Sequence, residues 1–219
     1  MTTWIGVVDY GMGNRRSVQK ALERVGARAS ITRDHKQLRA CHGLVIPGVG
    51  AFPLAMRNLR ELELDELIRS RAAEGTPALG VCLGMQLLFE VSQELQRTKG
   101  LGLLRGEVTW LDTGGLRMPH IGWNEVRFER TSPLTVGLPP KGCPFYHVHS
   151  LAPRPSASAD VVGTTEYGEQ FATIVQRGNV FGVQFHPEKS SAHGLELLAN
   201  FVALCAARPA SYRAAGLQA

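Results

Sequence analysis

Three short apolar runs in the first hundred residues each end in a glycine-containing turn that leads into a helical pattern. The runs span residues 4–8, 43–46 and 77–81, and the turns after them contain Gly11, Gly48 and Gly84. Short continuous apolar runs are typical of buried strands, and strands that alternate with helices along a chain form parallel sheets. The pattern therefore predicts an α/β fold with a mixed, mainly parallel sheet and helices on both faces.

Hydrophobic spacing and turn residues predict the remaining elements. Helices are expected from an Asn14 N-cap to Gly26, over 52–71 with room for an interruption, over 84–95 and over 191–207. The stretch 153–159 is expected to form a surface loop. Beyond residue 100, short β-rich segments predict antiparallel strands that extend or flank the parallel sheet. We expect one domain over 1–207 and a C-terminal tail over 208–219.

Composition excludes several classes of protein. The 219 residues include 24 Lys and Arg against 19 Asp and Glu, and 44% are hydrophobic, which excludes intrinsic disorder. The basic residues are spread along the chain, so no nucleic-acid partner is expected. The four cysteines form no CxxC pair, which disfavours a zinc ribbon or a thioredoxin-type site. Without a signal peptide or an apolar run of roughly 20 residues, we expect a cytoplasmic protein with no membrane partner.

The most informative motif is Gly80-Val-Cys-Leu-Gly84, in which Cys82 holds the nucleophile position of a Gly-x-nucleophile-x-Gly elbow. A strand that turns sharply into a helix needs small residues beside the corner, and it exposes the corner side chain over the helix N-terminus. There the helix dipole favours a thiolate, and the backbone N–H of Leu83 is free to stabilise an oxyanion. The alternative is a small core cysteine at the end of a buried strand.

A second motif, His186-Pro-Glu188, pairs an imidazole with a carboxylate near the C-terminus. Pro187 favours extended geometry at His186, and residues i and i+2 of an extended chain face the same side, so Glu188 can orient the ring. A cysteine nucleophile needs a base that a third group holds, so the two motifs together predict nucleophilic catalysis. The alternative is a strand end with a solvated His and Glu. The order Cys, His, Glu counts against the α/β-hydrolases.

A glycine-rich turn, Pro47-Gly-Val-Gly50, follows the second apolar run. Its backbone N–H groups can supply a second oxyanion donor, because Gly48 and Gly50 allow the peptide to rotate. The alternative is a turn that only closes the strand.

Together these motifs resemble those of the class I (triad) glutamine amidotransferases. Within that family, Asp9-Tyr-Gly-Met-Gly-Asn14, Pro119-His-Ile-Gly-Trp-Asn124 and Met85 are similar to the glutaminase subunits of imidazole glycerol phosphate synthases. Relatives that serve GMP, carbamoyl phosphate or anthranilate synthesis typically carry His at the Met85 position. The likeness runs from about residue 4 to residue 205, and it implies a flavodoxin-like core.

The resemblance implies a glutaminase with a covalent intermediate. Cys82 would attack the side-chain amide of glutamine, His186 would carry the proton to the departing ammonia, and Glu188 would orient His186. Water would then hydrolyse the thioester to release glutamate. The resemblance also implies an oxyanion hole and a glutamine pocket. The oxyanion hole would comprise Gly48, Val49, Gly50 and Leu83, and the pocket would include Gln86, Tyr146 and Ser150.

The resemblance further implies a heterodimer with a cyclase subunit of (β/α)8-barrel fold. That partner would receive the ammonia by a covered route and form imidazole glycerol phosphate in histidine biosynthesis. Asn14, Lys20, Trp123 and Lys189 are the expected partner-facing residues. From the residues alone, Asn14 fits an N-cap, Trp123 fits a core aromatic, and the two lysines fit a solvated surface.

Two departures from the family pattern lie in the segment 145–151. His147 and Leu151 stand where aromatic residues are usual, which affects the rim of the glutamine pocket. His147 and His149 also form an HxH pair, but no third ligand is obviously placed, so an ordinary strand is favoured and neither a metal nor a cofactor is expected. Two other functions stay open: a stand-alone cysteine hydrolase of γ-glutamyl compounds, and a non-catalytic scaffold of amidotransferase type.

Overall fold

The structure is a computed structural model that describes residues 2–207, so the predicted tail at 208–219 lies outside the described residues. The strands are β1 (Trp4–Val8), β2 (Arg28–Thr32), β3 (Gly43–Gly48), β4 (Ala78–Cys82), β5 (Phe89–Ser92), β6 (Thr98–Lys99), β7 (Leu104–Trp110), β8 (His120–Phe128), β9 (Cys143–His149), β10 (Leu151–Pro155), β11 (Val161–Tyr167), β12 (Glu169–Arg177) and β13 (Val180–Val183). The helices are α1 (Arg15–Arg24), α2 (His35–Ala40), α3 (Phe52–Glu61), α4 (Leu64–Ala73), α5 (Leu83–Leu87) and α6 (Ser191–Ala206).

Nine strands form the main sheet, in the order β2-β1-β3-β4-β13-β12-β11-β8-β9. The pairs from β2 to β13 are parallel, and those from β13 to β9 are antiparallel. Four further strands form a second sheet in the order β10-β7-β5-β6. The predicted α/β fold, with a parallel core extended and flanked by antiparallel strands, is confirmed.

Helices cover both faces of the parallel strands because successive side chains of a strand point to opposite sides. Val7 and Val45 pack in one buried cluster with residues of α1 and α6. Val8 and Leu44 belong to the other cluster, with residues of α3 and α4. Within residues 2–207, no helix has the length and apolar character needed to cross a membrane.

Several local predictions need correction. The helix predicted over 84–95 ends at Leu87, and 89–92 forms β5, because Phe89 and Val91 are buried on either side of exposed Glu90 and pair with β7. The expected loop over 153–159 begins inside β10, which pairs with β7. The structure also contains β2 and α2, which the sequence pattern does not predict. The interruption allowed for in the helix predicted over 52–71 is confirmed and falls at Glu63, whose φ is 53°.

Candidate functional site

Cys82 lies at the corner where β4 turns into α5. Its φ of 55° and ψ of −114° are uncommon for a residue with a Cβ. Neighbouring glycines permit this corner: a Cβ on Gly80 would lie 2.5 Å from the Gly84 carbonyl oxygen, and one on Gly84 would lie 1.7 Å from the Ile46 carbonyl oxygen. The motif is therefore a close-packed elbow that presents the thiol at the carboxyl edge of the sheet.

His186 and Glu188 meet just beyond the end of β13. The Nδ1 atom of His186 lies 2.9 Å from Oε1 of Glu188, and both side chains are buried. The His186 backbone N–H donates to the Tyr146 carbonyl at 2.9 Å, and the Ser190 hydroxyl donates to the His186 carbonyl at 2.7 Å. Because a carboxylate accepts hydrogen bonds, Nδ1 carries a proton and Nε2 is the nitrogen left for proton transfer.

The surroundings of His186 favour its protonated form. Burial by itself lowers the pKa of His186, but its interactions with Cys82 and Glu188 outweigh burial and raise that pKa to about 10. An imidazolium held in this way can deliver a proton to a leaving group.

The Cys82 thiol has two further polar neighbours. Its Sγ lies 3.7 Å from the Val148 carbonyl oxygen and 3.8 Å from Nε2 of Gln184. The first is an acceptor for the S–H, and the second is a donor to the sulfur.

The glycine-rich turn at 47–50 lies directly beside the elbow. Gly48 is the register partner of Cys82 in the β3–β4 pair, and a Cβ there would lie 2.7 Å from the Cβ of Leu83. Gly50 has a φ of 104°, which a residue with a Cβ rarely adopts. The residues predicted to form the oxyanion hole thus lie next to the elbow.

Tyr10 braces this turn from the loop after β1. Its hydroxyl donates to the Pro47 carbonyl at 2.6 Å, and the side chain is buried. Burial, and then the nearby Cys82, raises the pKa of Tyr10, so the hydroxyl stays protonated and remains a donor.

The thiol, the imidazole and the turn share one cavity of about 260 Å³. Seven sequence-predicted residues line it: Val49, Gly50, Cys82, Leu83, Gln86, Ser150 and His186. Lys189, predicted to face a partner, also lines it. Gln86, one of the lining residues, donates through Nε2 to the Leu151 carbonyl at 3.0 Å.

Glu94 lines the same cavity and was missed from the sequence. Its Oε2 accepts the backbone N–H of Phe52 at 2.6 Å, in the first turn of α3, where a carboxylate is favourable. Phe89, Glu90 and Val91 alternate between apolar and polar, which is the sequence signal of a strand ending before Glu94. Because the sequence pattern predicts a helix over 84–95, it does not assign Glu94 to the site.

The HxH pair belongs to a cluster of three buried histidines. Nδ1 of His120 lies 3.0 Å from Nε2 of His149, and Nε2 of His147 lies 2.8 Å from the Thr173 hydroxyl oxygen. Burial lowers the pKa of His120 to about 4 and that of His149 to about 3, so both rings are neutral near pH 7. Among residues 2–207, no group of three or more His, Cys, Asp or Glu side chains is placed to hold a metal ion.

Two of the predicted partner residues form one surface beside the cavity. The Trp123 ring lies edge-on to Tyr146, 6.0 Å between centroids, and the Lys189 ammonium lies 6.0 Å from the Tyr146 ring centroid. Tyr146, predicted to contact substrate, is thus placed between Trp123 and Lys189. Asn14 stands at the N-cap position of α1 without a side-chain capping bond, and Lys20 is exposed on α1.

Known proteins are similar to this chain over most of its length. The family model for glutamine amidotransferase class-I matches residues 6–205. The imidazole glycerol phosphate synthase subunit HisH of Moorella thermoacetica is 53% identical over 197 residues, which cover 90% of this chain and 93% of that protein. The protein with the same description from Aquifex aeolicus is 48% identical over 196 residues, covering 89% of this chain and 94% of the relative.

Solved structures with lower identity share the fold. One described as a glutamine amidotransferase has a TM-score of 0.73 at 22% identity, and the match covers 92% of this chain and 98% of that one. PurLQS from Thermotoga maritima has a TM-score of 0.75 at 20% identity, and the match covers 93% and 99%. With the family model matched along nearly its whole length, the chain belongs to the class I glutamine amidotransferase family.

Proposed function

We propose that this chain is the glutaminase subunit of an imidazole glycerol phosphate synthase. It hydrolyses glutamine to glutamate and ammonia, and the ammonia passes to a cyclase subunit. The observation that carries the hydrolysis is that the elbow thiol of Cys82 and the imidazole of His186 line one cavity, with the buried Glu188 paired to His186 behind it. The use of the ammonia by a synthase is supported by the names of relatives, which are about half identical to this chain over most of its length.

The first half-reaction forms a thioester. The Cys82 S–H proton moves to Nε2 of His186, and the sulfur attacks the side-chain carbonyl carbon of glutamine. His186 then gives that proton to the departing nitrogen, so that ammonia leaves and a γ-glutamyl thioester remains. Glu188 holds the ring through Nδ1 and stabilises the imidazolium.

The second half-reaction regenerates the thiol. A water molecule loses a proton to His186 and attacks the thioester carbonyl, and the sulfur leaves with the proton returned from His186. Each attack places negative charge on the carbonyl oxygen. The backbone N–H groups of Leu83 and of the Gly48–Val49–Gly50 turn are the proposed donors to that oxygen.

The cavity also presents groups that fit the other end of glutamine. The carboxylate of Glu94 can pair with the α-ammonium group, and Lys189 can pair with the α-carboxylate, because both side chains line the cavity. Gln86 and Ser150 also line the cavity, and we assign them to substrate binding. Tyr146 contributes through its backbone, whose carbonyl holds His186.

We assign Asn14, Lys20, Trp123 and Lys189 to the contact with the cyclase subunit. Two exposed apolar side chains of β8, Ile121 and Trp123, point to the same side of the strand and are typical of an interface core. This surface continues through Tyr146 to Lys189 at the cavity, which supports a partner bound on the side of the cavity where ammonia would be released. A covered route is needed because free ammonia is diluted and protonated in water. The heterodimer and its cytoplasmic location stay predictions.

The test is to measure glutamate release by the full chain alone, and then with the cyclase subunit and its ribonucleotide substrate. We expect partner and substrate to raise glutamate release. Cys82→Ala should lower it by about a thousandfold or more, while synthesis from added ammonia by the complex survives. Cys143→Ala, at a buried cysteine of β9, is the control and should keep the activity of the parent.

Each other result would point to a different function. Full glutaminase activity in Cys82→Ala would overturn the mechanism. Strong turnover by the chain alone, unaffected by the cyclase, would indicate a stand-alone hydrolase. Failure of a glutamine-like electrophile to label Cys82 would indicate a non-catalytic scaffold.

A further inference from the structure

The sulfur of Cys82 lies between a hydrogen-bond acceptor and a donor. The acceptor is the Val148 carbonyl oxygen at 3.7 Å, and the donor is Nε2 of Gln184 at 3.8 Å. Gln184 is fully buried and lies just after β13, where its backbone N–H donates to the Thr173 carbonyl at 2.8 Å. Neither the elbow motif nor the His186–Glu188 pair explains why the side-chain amide of Gln184 lies beside the sulfur.

The orientation of the Gln184 amide follows from the Leu151 carbonyl group, which can only accept hydrogen bonds. The Leu151 carbonyl oxygen lies 3.0 Å from Nε2 of Gln86, so the nitrogen end of the Gln86 amide faces it. The same Nε2 lies 3.1 Å from Oε1 of Gln184. Because Oε1 accepts from Gln86, the nitrogen end of Gln184 is the end that faces Cys82.

Two histidines continue the hydrogen-bond network on the other side of the Leu151 carbonyl. Nδ1 of His149 lies 2.9 Å from the Leu151 carbonyl oxygen and must donate to it, so Nε2 of His149 accepts from Nδ1 of His120 at 3.0 Å. Nε2 of His120 is then an acceptor, with Nδ2 of Asn124 at 3.3 Å. The Leu151 carbonyl oxygen accepts from His149 on one side and from Gln86 on the other, so donation converges on it from both directions. The contact with Gln86 alone sets the polarity of the Gln184 amide.

We propose that Gln184 is a further catalytic residue, whose side-chain N–H stabilises the Cys82 thiolate once the thiol proton has moved to His186. In the thiol form the S–H donates to the Val148 carbonyl. After proton transfer that contact is repulsive, and the Gln184 N–H is a donor that the anionic sulfur retains in addition to the protonated His186. A buried donor fixed in advance stabilises developing charge more than a mobile one in water does. The inference rests on the proposed function of Cys82 as nucleophile.

The titratable groups around the sulfur set the background for a test. They are His186 with Glu188, Tyr10, His149 and, lining the cavity, Glu94 and Lys189. A neutral replacement of Gln184 leaves all of them in place, so a change in thiolate formation reports on the amide itself.

The experiment follows alkylation of Cys82 by iodoacetamide as a function of pH in the full chain, with the labelled cysteine located by mass spectrometry. Gln184→Met keeps the length of the side chain and removes the donor. We expect alkylation near pH 7 to slow about tenfold and its pH profile to move upward by about one unit. The value of kcat for glutaminase activity with the cyclase should fall by a similar factor, with KM within twofold. Gln170→Met, an exposed position on β12, is the matched control and should behave like the parent.

A second variant keeps the proposal testable if Gln184→Met is poorly folded. Gln184→Glu preserves the shape and the acceptor to Gln86 but replaces the donor with a carboxylate oxygen, so alkylation should slow further. A folded variant, judged by its thermal unfolding, with the alkylation profile of the parent would overturn the proposal. If the parent lacked glutaminase activity while the alkylation shift was present, the proposed function and the catalytic role of Gln184 would fail, and only the stabilisation of the Cys82 thiolate by Gln184 would stand.

Discussion

At the scale of single residues, the site depends on groups held in one geometry before substrate arrives. Cys82 keeps a positive φ of 55°, a conformation that costs about 1–3 kcal/mol for a residue with a side chain. Close packing of Gly80 and Gly84 against neighbouring backbone maintains it. His186 is held at both its side chain and its backbone, which fixes the direction of its Nε2 atom.

The first prediction concerns the carboxylate that raises the pKa of His186. Glu188→Gln keeps the shape of the side chain but removes its charge, so the pKa of His186 should fall below its value of about 10. We expect kcat for glutaminase activity to drop at least tenfold, at nearly unchanged KM. NMR titration of the imidazole and the pH profile of the complex are the measurements. Glu196→Gln, an exposed carboxylate on α6, is the control; a loss of equal size there would contradict this assignment.

At the scale of elements, the ends of three parallel strands and the loops after them assemble the site. The β3 turn carries the proposed oxyanion donors, β4 delivers Cys82, and the segment after β13 delivers His186. The loop after β1 supports the β3 turn through Tyr10. Ligand sites at the carboxyl ends of parallel strands are the general pattern of open α/β sheets.

The second prediction tests that support. Tyr10→Phe removes the buried hydrogen bond to the Pro47 carbonyl and should lower the free energy of unfolding by about 1 kcal/mol. Tyr167→Phe makes the same chemical change at an exposed hydroxyl, which donates to the Arg117 carbonyl at 2.7 Å, and should cost less. Urea denaturation of both variants gives the comparison. Equal losses would show that the Tyr10 bond supports the turn no more than a surface bond would.

At the scale of the whole molecule, β8 joins the core to the proposed partner surface. It places His120 in the buried histidine cluster and exposes Ile121 and Trp123. The cluster affects stability because its rings are neutral in the folded chain. The exposed pair affects assembly because apolar side chains of this size are typical of interface cores.

The third prediction concerns acid stability. The pKa values of His120 and His149, about 4 and about 3, lie below the ordinary value of 6.5, and burial, followed by the charges of His149 and His120, holds the pKa of His147 well below 6.5. The unfolded chain therefore binds more protons below pH 6.5. The stabilisation is complete above that pH and is lost as the pH falls through the folded-state values, by about 1.4 kcal/mol per pH unit for each histidine.

Replacement of one ring makes this prediction quantitative. His147→Phe should reduce the acid-side slope of unfolding free energy against pH by about one proton. Thr173→Val removes the hydrogen bond to His147 but no titratable group, and it should keep a steeper slope than His147→Phe. Parallel slopes for the parent and His147→Phe in chemical denaturation between pH 7 and pH 4 would contradict the role of this ring.

The fourth prediction concerns assembly. Trp123→Ala should weaken binding of the cyclase subunit by about tenfold to a hundredfold, since a large aromatic at the centre of an interface contributes strongly to affinity. Trp110→Ala is a matched control: Trp110 on β7 is 51% exposed, against 53% for Trp123, but lies in the second sheet. Titration calorimetry with the cyclase subunit measures both. An equal loss of affinity in both variants, or no loss for Trp123→Ala, would contradict the proposed position of the interface.

The sequence by itself determined the alternation of strands and helices, the elbow at Cys82 and the His-x-Glu pair, because each depends on spacing within a few residues. Only the tertiary structure decided that 89–92 is a strand, since the pairing with β7 outweighs the helical spacing of its apolar residues. It also brought Glu94 to the cavity, turned Tyr146 toward Trp123, and aimed Gln184 at a sulfur 102 residues away in the chain. Such contacts follow from the packing of distant segments, which no local pattern encodes.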